Sequence, residues 1–162
     1  MIMSLEKYWQ KRKFKKTSEP KGKILKTGKN RFVVHDHFAE RARHHHFDLR
    51  LEMLSSAKAS EGKEVVLKSW AVPKGVPEKL GVRHLAISVE NHPISYLNFS
   101  GIIPRGCYGA GRVEIFDKGN YKLIEKTGNR ILFTLKGKKL KGNYNLIKLK
   151  GRKNQWLLFK TK

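Results

Sequence analysis

At 162 residues, with 39% hydrophobic residues and one cysteine, the chain has material for one domain and one core, and it excludes an internal disulfide or a cysteine-based zinc cluster. No run of 18 apolar residues is present, and Met1–Lys7 lacks an apolar signal core and a cleavage site, so the sequence reads as cytoplasmic and without a membrane span. The net charge of +23 is unevenly spread: residues 1–30 hold ten Lys/Arg and two Glu, residues 118–162 hold fourteen and one, and residues 31–117 are nearly balanced.

Residues 5–16 read as a short helix or coil. The segment 17–30, with Pro20, Gly22 and Gly28, reads as an irregular arm crossing the surface. Strands are predicted at 31–35, 46–52, 65–71, 85–90, 111–116, 120–125, 130–136, 144–150 and 155–160. Many alternate with period two, as where Tyr144, Leu146 and Lys148 alternate with Asn145, Ile147 and Leu149. Residues 54–64 read as a hairpin loop, and 74–84, with Gly75, Pro77 and Gly81, as another loop. No interior linker divides the chain. The expectation is a single domain over 1–162, with a basic arm (1–30) and a barrel (31–162). The fold class is mainly β: a compact, closed or nearly closed barrel of about eight strands with few short helices. Closure removes edges that would otherwise pair with other chains.

The most informative stretch is His44-His45-His46-Phe47-Asp48-Leu49-Arg50-Leu51-Glu52. As a strand it points Phe47, Leu49 and Leu51 to one face, and His44, His46, Asp48, Arg50 and Glu52 to the other. The first face suits a core. The second aligns imidazoles and a carboxylate, which are ligands for a divalent cation, beside a guanidinium, which is a fork for phosphate. His37, just beyond the strand 31–35, supplies a third ligand with His46 and Asp48, for Mn²⁺, Fe²⁺ or Zn²⁺. The triple histidine leaves the register open, so His44 is an alternative to His37.

Three further segments carry chemistry. In Glu90-Asn91-His92-Pro93-Ile94-Ser95-Tyr96, Pro93 ends the strand. There His92 is placed to donate a proton, to hold a phosphoryl oxygen or simply to cap a turn, and Tyr96 adds a hydroxyl. In Lys68-Ser69-Trp70-Ala71, Trp70 is expected in the core, with it or Lys68, of the same parity, at the barrel mouth. Residues 101–111 form a glycine-rich loop without the Gly-Lys-Ser/Thr ending and helix of a P-loop. Cys107 lies within it with no acid or base beside it, so a catalytic thiolate is not expected. Polycationic ends around a balanced centre suit a polyanion, most simply nucleic acid.

These motifs, in this order, resemble the 3′-phosphoesterase domain of bacterial DNA ligase D. The match runs from about residue 7 to 160. It takes in Lys11–Pro20, Arg31–Val34 with His37, His46–Glu52, Lys68–Gly75, Val89–Pro93 with Tyr96, Gly101–Pro104 with Tyr108–Gly111, and Trp156–Lys160. The resemblance implies a compact barrel with a crescent groove. It implies a Mn²⁺-dependent repair enzyme, also able to use Co²⁺ or Zn²⁺. Such an enzyme removes a 3′-terminal ribonucleoside from a primer-template and then the 3′-phosphate, leaving a 3′-OH. It further implies metal ligands at His37, His46 and Asp48, and phosphate-contacting or catalytic residues at Arg50, His92 and Tyr96. Lys68 and Glu90 are supporting candidates, and Arg12 and Glu19 belong to an arm needed mostly for the diesterase step. The partners implied are DNA or DNA–RNA 3′ ends and a separate ligase, polymerase and Ku, with the chain itself a monomer. Three positions depart from the family: the His37–His46 spacing is about three residues longer, Lys13 stands where an Asp is usual, and the phosphate-binding arginine falls on His84, beside Arg83. A non-catalytic nucleic-acid-binding barrel and a metal-dependent endonuclease are the competing readings.

Overall fold

The computed structural model describes residues 4–40, 45–55 and 64–162. Nine strands follow a short helix α1 (Glu6–Lys11): β1 (Arg31–Ala39), β2 (His46–Leu54), β3 (Val65–Val72), β4 (Arg83–His92), β5 (Gly101–Ile103), β6 (Gly111–Lys126), β7 (Arg130–Lys136), β8 (Lys141–Lys148) and β9 (Gln155–Thr161). The spatial order is β1-β2-β3-β4-β9-β8-β7-β6, and β6 pairs back onto β1. This closes an eight-stranded antiparallel barrel, as the sequence pattern predicts, with β5 added alongside β6. No helix among the described residues is long and apolar enough to cross a membrane.

Two predicted strands, 111–116 and 120–125, prove to be the single 16-residue strand β6. Its first part pairs with β1 and its last part with β7. The turn signal at Asp117-Lys118-Gly119 has another cause. A Cβ on Gly119 would lie 2.6 Å from the Lys136 carbonyl oxygen, so the glycine admits a close approach of backbone rather than a reversal. Asp117 accepts from the backbone N–H groups of Lys138, Lys139 and Leu140, fixing the β7–β8 turn. The three-residue β5 and the 3-10 turn Ile94–Asn98 carry too little periodicity to be seen in the sequence. β2 and β3 pair antiparallel, with Ser55 N–H donating to the Glu64 carbonyl at 2.9 Å, and residues 56–63 of the predicted loop lie outside the described residues.

Two apolar layers hold the barrel. Phe32, Val34, Leu49, Leu51, Trp70, Tyr144 and Leu158 fill its interior. Outside the wall, α1, the arm and the 3-10 turn bring Tyr8, Ile94, Tyr96 and Leu97 against Val33 and Leu67. The central wall is therefore buried on both faces, and Asp48, Arg50 and Glu52 are only 5%, 4% and 1% exposed. Charges this deep must be paired. Glu52 is met by the backbone N–H groups of Lys29 and Arg31 and by the Arg31 guanidinium, with Nη2 at 2.8 Å. Burial raises its carboxyl, but Arg31 and these N–H groups outweigh burial and hold it below the usual range.

Candidate active site: a two-histidine, one-carboxylate cluster beside buried arginines

The antiparallel register of β1 and β2 builds the centre of the site. His37 lies directly opposite His46, and His35 opposite Asp48. Opposed residues share a face, so all four side chains and Arg50 project from the outer wall of the barrel. One donor atom from each of His37, His46 and Asp48 falls within 4.8 Å of the others. His44, the alternative to His37, lies outside the described residues.

The ring nitrogens are already assigned by their partners. His37 Nε2 donates to the Gly109 carbonyl at 2.7 Å. Its lone pair is then on Nδ1, 3.6 Å from Asp48 Oδ2. A lone pair facing a carboxylate oxygen calls for a proton or a cation between them. His46 Nε2 lies 3.4 Å from the other oxygen, Asp48 Oδ1. Burial raises the Asp48 carboxyl, but Arg50, helped by His46, overcomes it and holds the group well below the ordinary carboxylate range. The hydrogen bond to Asp48 in turn raises His46, against burial.

Arg50 is gripped from several directions. Nη2 lies 3.5 Å from Asp48, Nη1 3.2 Å from His92 Nδ1, and Nε donates to His35 Nδ1 at 3.3 Å. His35 Nε2 donates to the Phe99 carbonyl at 2.9 Å. Burial, with Arg50 beside it, pushes His35 down to about 3, so it stays neutral. His35 was left without a role by sequence reasoning, although its two-residue offset from His37 puts it in phase with that ligand. His35→Gln, which keeps one donor and one acceptor, is expected to melt near the wild type. His35→Leu, which leaves Arg50 Nε and the Phe99 carbonyl unpaired, should lose about 1–3 kcal/mol per orphaned group by thermal melt. Equal melting of the two variants would show that His35 does not hold Arg50.

His92 and Glu90 reach the same face through a β-bulge. Leu67 pairs with His92 and Ser69 with Val89, so two steps on β3 match three on β4. The extra residue turns Glu90 and His92 outward, although Ala86, of the same parity, packs in the interior. His92 Nδ1 lies 3.0 Å from the Glu90 carbonyl, and Nε2 lies 3.2 Å from Arg12 Nη2. A neutral ring protonated on Nδ1 satisfies both, and it leaves the Arg50 Nη1 N–H, 3.2 Å away, without an acceptor on His92. Burial, then Arg50 and Arg12, hold His92 well below its ordinary value.

The N-terminal arm closes the other side. Arg12 bridges Glu19 (3.3 Å) and Glu90 (2.8 Å), and all three side chains are at most 5% exposed. Tyr96 donates to Glu19 at 2.7 Å. Burial lifts the Tyr96 hydroxyl well above its usual value and keeps it a proton donor. Together these groups line one groove of about 540 Å³. It brings together nine of the twelve residues picked from the sequence: Arg12, Glu19, His37, His46, Asp48, Arg50, Glu90, His92 and Tyr96.

Lys68, Arg83 and His84 are not among its lining. Lys68 and Trp70 both line a separate cavity at one end of the barrel, with Lys126 and Trp156. Trp70 is 2% exposed, as expected of a core residue. His84 Nδ1 lies 2.6 Å from the Gly75 carbonyl, and Arg83 stacks on Phe159 at 4.9 Å. Strand parity explains Lys68 and His84, whereas Arg83, of the same parity as the groove-lining Ile87 and Val89, lies at the far start of β4. Lys68 follows Trp70 and His84 follows Ala86, both of which point inward, and the bulge that redirects β4 comes after His84.

The comparisons with known proteins show the family. The family model described as the DNA ligase D 3′-phosphoesterase domain matches residues 35–148. Over 98% of its length the chain is 39% identical to the multifunctional non-homologous end joining protein LigD of Pseudomonas aeruginosa, and 41% identical to that of Mycolicibacterium smegmatis. It is 39% identical over 98% of its length to the corresponding DNA repair protein of Mycobacterium tuberculosis. The chain spans only 18–20% of the length of these relatives. With a family match over most of the chain and the outer-wall cluster in place, this chain belongs to the DNA ligase D 3′-phosphoesterase domain family.

Proposed function

We propose that the chain is a metal-dependent 3′-end-healing phosphoesterase, residues 1–162 forming one module with an arm (1–30) and a barrel (31–162). It removes a 3′-terminal ribonucleoside from a DNA or DNA–RNA primer-template and then the 3′-phosphate, leaving a 3′-OH for repair by end joining. A ligase, a polymerase and Ku are the expected partners of a monomeric protein.

The carrying observation is charge arithmetic in the groove. Asp48, Glu19 and Glu90 supply three negative charges against three from Lys11, Arg12 and Arg50. A net of zero offers a phosphate no overall attraction. One divalent cation makes it +2. His37, His46 and Asp48 fit that cation: one carboxylate is held ionised, and His37 Nδ1 is left as a ligand by the Gly109 bond. Two imidazoles and a carboxylate suit Mn²⁺, and also Co²⁺ or Zn²⁺. When bound, the ion supplies Lewis-acid stabilisation of charge on a phosphoryl oxygen.

The protein's own groups do the rest. Arg50, oriented by Asp48 and His35, clamps non-bridging oxygens. His92, neutral with its Nδ1–H held by the Glu90 carbonyl, accepts from Arg12 and so positions that guanidinium for the phosphate rather than giving up a proton. Tyr96 is a fixed hydroxyl donor. Arg12, locked between Glu19 and Glu90, holds the arm over the groove and serves the diesterase step.

The test is a labelled primer-template ending in one ribonucleotide or in a 3′-phosphate, with and without Mn²⁺. Metal-dependent trimming confined to the terminus is expected. Internal cutting would favour an endonuclease, and binding without cleavage a non-catalytic barrel. Replacing Arg12 or Glu19 should slow ribonucleoside removal more than phosphate removal, and equal losses would reject that division.

A further inference from the structure

Tyr108 is the only exposed side chain among the described residues lining the groove, at 48% exposure. A large aromatic ring in this position is not held there by burial. Its turn is nonetheless well fixed. Cys107 N–H donates to the Pro104 carbonyl, Ala110 N–H to Cys107, and Glu40 N–H to Ala110. The next residue, Gly109, accepts the His37 Nε2 bond. The ring also has cations at hand: Lys11 Nζ lies 4.8 Å from its centroid and Arg12 Cζ 5.1 Å. Lys11 and Arg12 are both bound to Glu90. The ring is thus preorganised at the open lip of the groove, one residue from the contact of a metal-binding histidine.

We propose that Tyr108 is the stacking platform for a nucleobase, that of the terminal nucleoside released in the first step. This rests on the end-healing reading above. The scissile phosphate belongs at Arg50 and the His37–His46–Asp48 cluster, deep in the groove. The nucleoside beyond it must leave to solvent, and Tyr108 marks the solvent side. A π-face accepts any base, so the subsite favours the presence of a base and not its identity. The flanking cations reinforce a ring placed next to a polyanion.

The experiment compares two primer-templates with Mn²⁺: one ending in an ordinary ribonucleotide, the other in an abasic ribose at the same position. Wild type should prefer the base-bearing end about tenfold in kcat/KM, within a range of roughly 5- to 150-fold. Tyr108→Ala should lose that preference, and Tyr108→Phe should keep it. A wild type that cleaves both ends equally would overturn the proposal, as would an alanine variant that still discriminates. Thermal melts of the three proteins separate loss of the platform from loss of the fold. Should Tyr108→Ala unfold, a phenylalanine variant lacking the preference would still refute stacking. Wild type inert on both ends, and on a 3′-phosphate, would instead defeat the end-healing reading, and this subsite with it.

Discussion

Asp48→Asn is expected to abolish divalent-metal binding and to lower both phosphoesterase steps by on the order of a thousandfold or more, because one uncharged oxygen replaces the only carboxylate among the three ligands. Isothermal titration with Mn²⁺ and steady-state cleavage assays would measure the two losses. A variant that still binds Mn²⁺ like wild type would remove Asp48 from the metal centre. The substitution also leaves Arg50 without the charge 3.5 Å from it, so the metal-free protein should melt lower. The pH dependence has a definite sign. The Asp48 carboxyl is depressed in the folded state, so its stabilisation is present above the ordinary carboxylate range and is lost only as pH falls through the depressed value. His46 is raised, so its contribution is complete below its ordinary value and is lost as pH rises through the folded one. Metal must displace the His46 proton, so Mn²⁺ affinity should weaken as pH falls below that raised value. Asn, unable to favour the imidazolium as strongly, should shift any residual dependence to lower pH.

Arg50→Lys is the second large effect. It keeps the positive charge but loses the planar fork that meets Asp48, His92 and His35 at once. A lysine has one nitrogen at one place, so the phosphate clamp loses its orientation. The expected loss is about 10²–10³ in kcat on a 3′-phosphate end, comparable with removal of one fixed donor to a developing charge. Mn²⁺ affinity should change far less, because Arg50 is not a ligand. A matching collapse of Mn²⁺ affinity would mean that Arg50 serves mainly to shape the metal centre. Retention of full kcat would mean that it does not clamp phosphate.

Most of the barrel was legible because its strands alternate and are separated by turn residues. β6 was not, since Gly119 looks like a turn in the sequence and is a contact glycine in the structure. The two-faced character of β2 was visible as alternation, but its double burial was not. The cover comes from Tyr8, Ile94 and Tyr96, which lie some forty residues or more away in the chain. Lys68 entered the candidate list from its own segment and from the resemblance, and His84 through the resemblance alone. Their strand parity turns them from the groove, and parity could have raised that question beforehand. For Glu90 and His92 parity alone misleads, because the bulge at Val89–His92 depends on pairing with β3.

By itself the sequence determined the residue types of the centre, the strand that carries Asp48 and Arg50 in phase, and the polycationic ends, because local alternation and composition are properties of a chain read in order. Only the tertiary structure decided that His37 faces His46, that Arg12 meets His92, that His35 anchors Arg50, and that the groove lies on the outer wall under the arm rather than in the barrel mouth. Each of these depends on register, on a bulge or on packing between distant segments. Such non-local contacts are selected by the free energy of the whole fold, and no short stretch of chain encodes them.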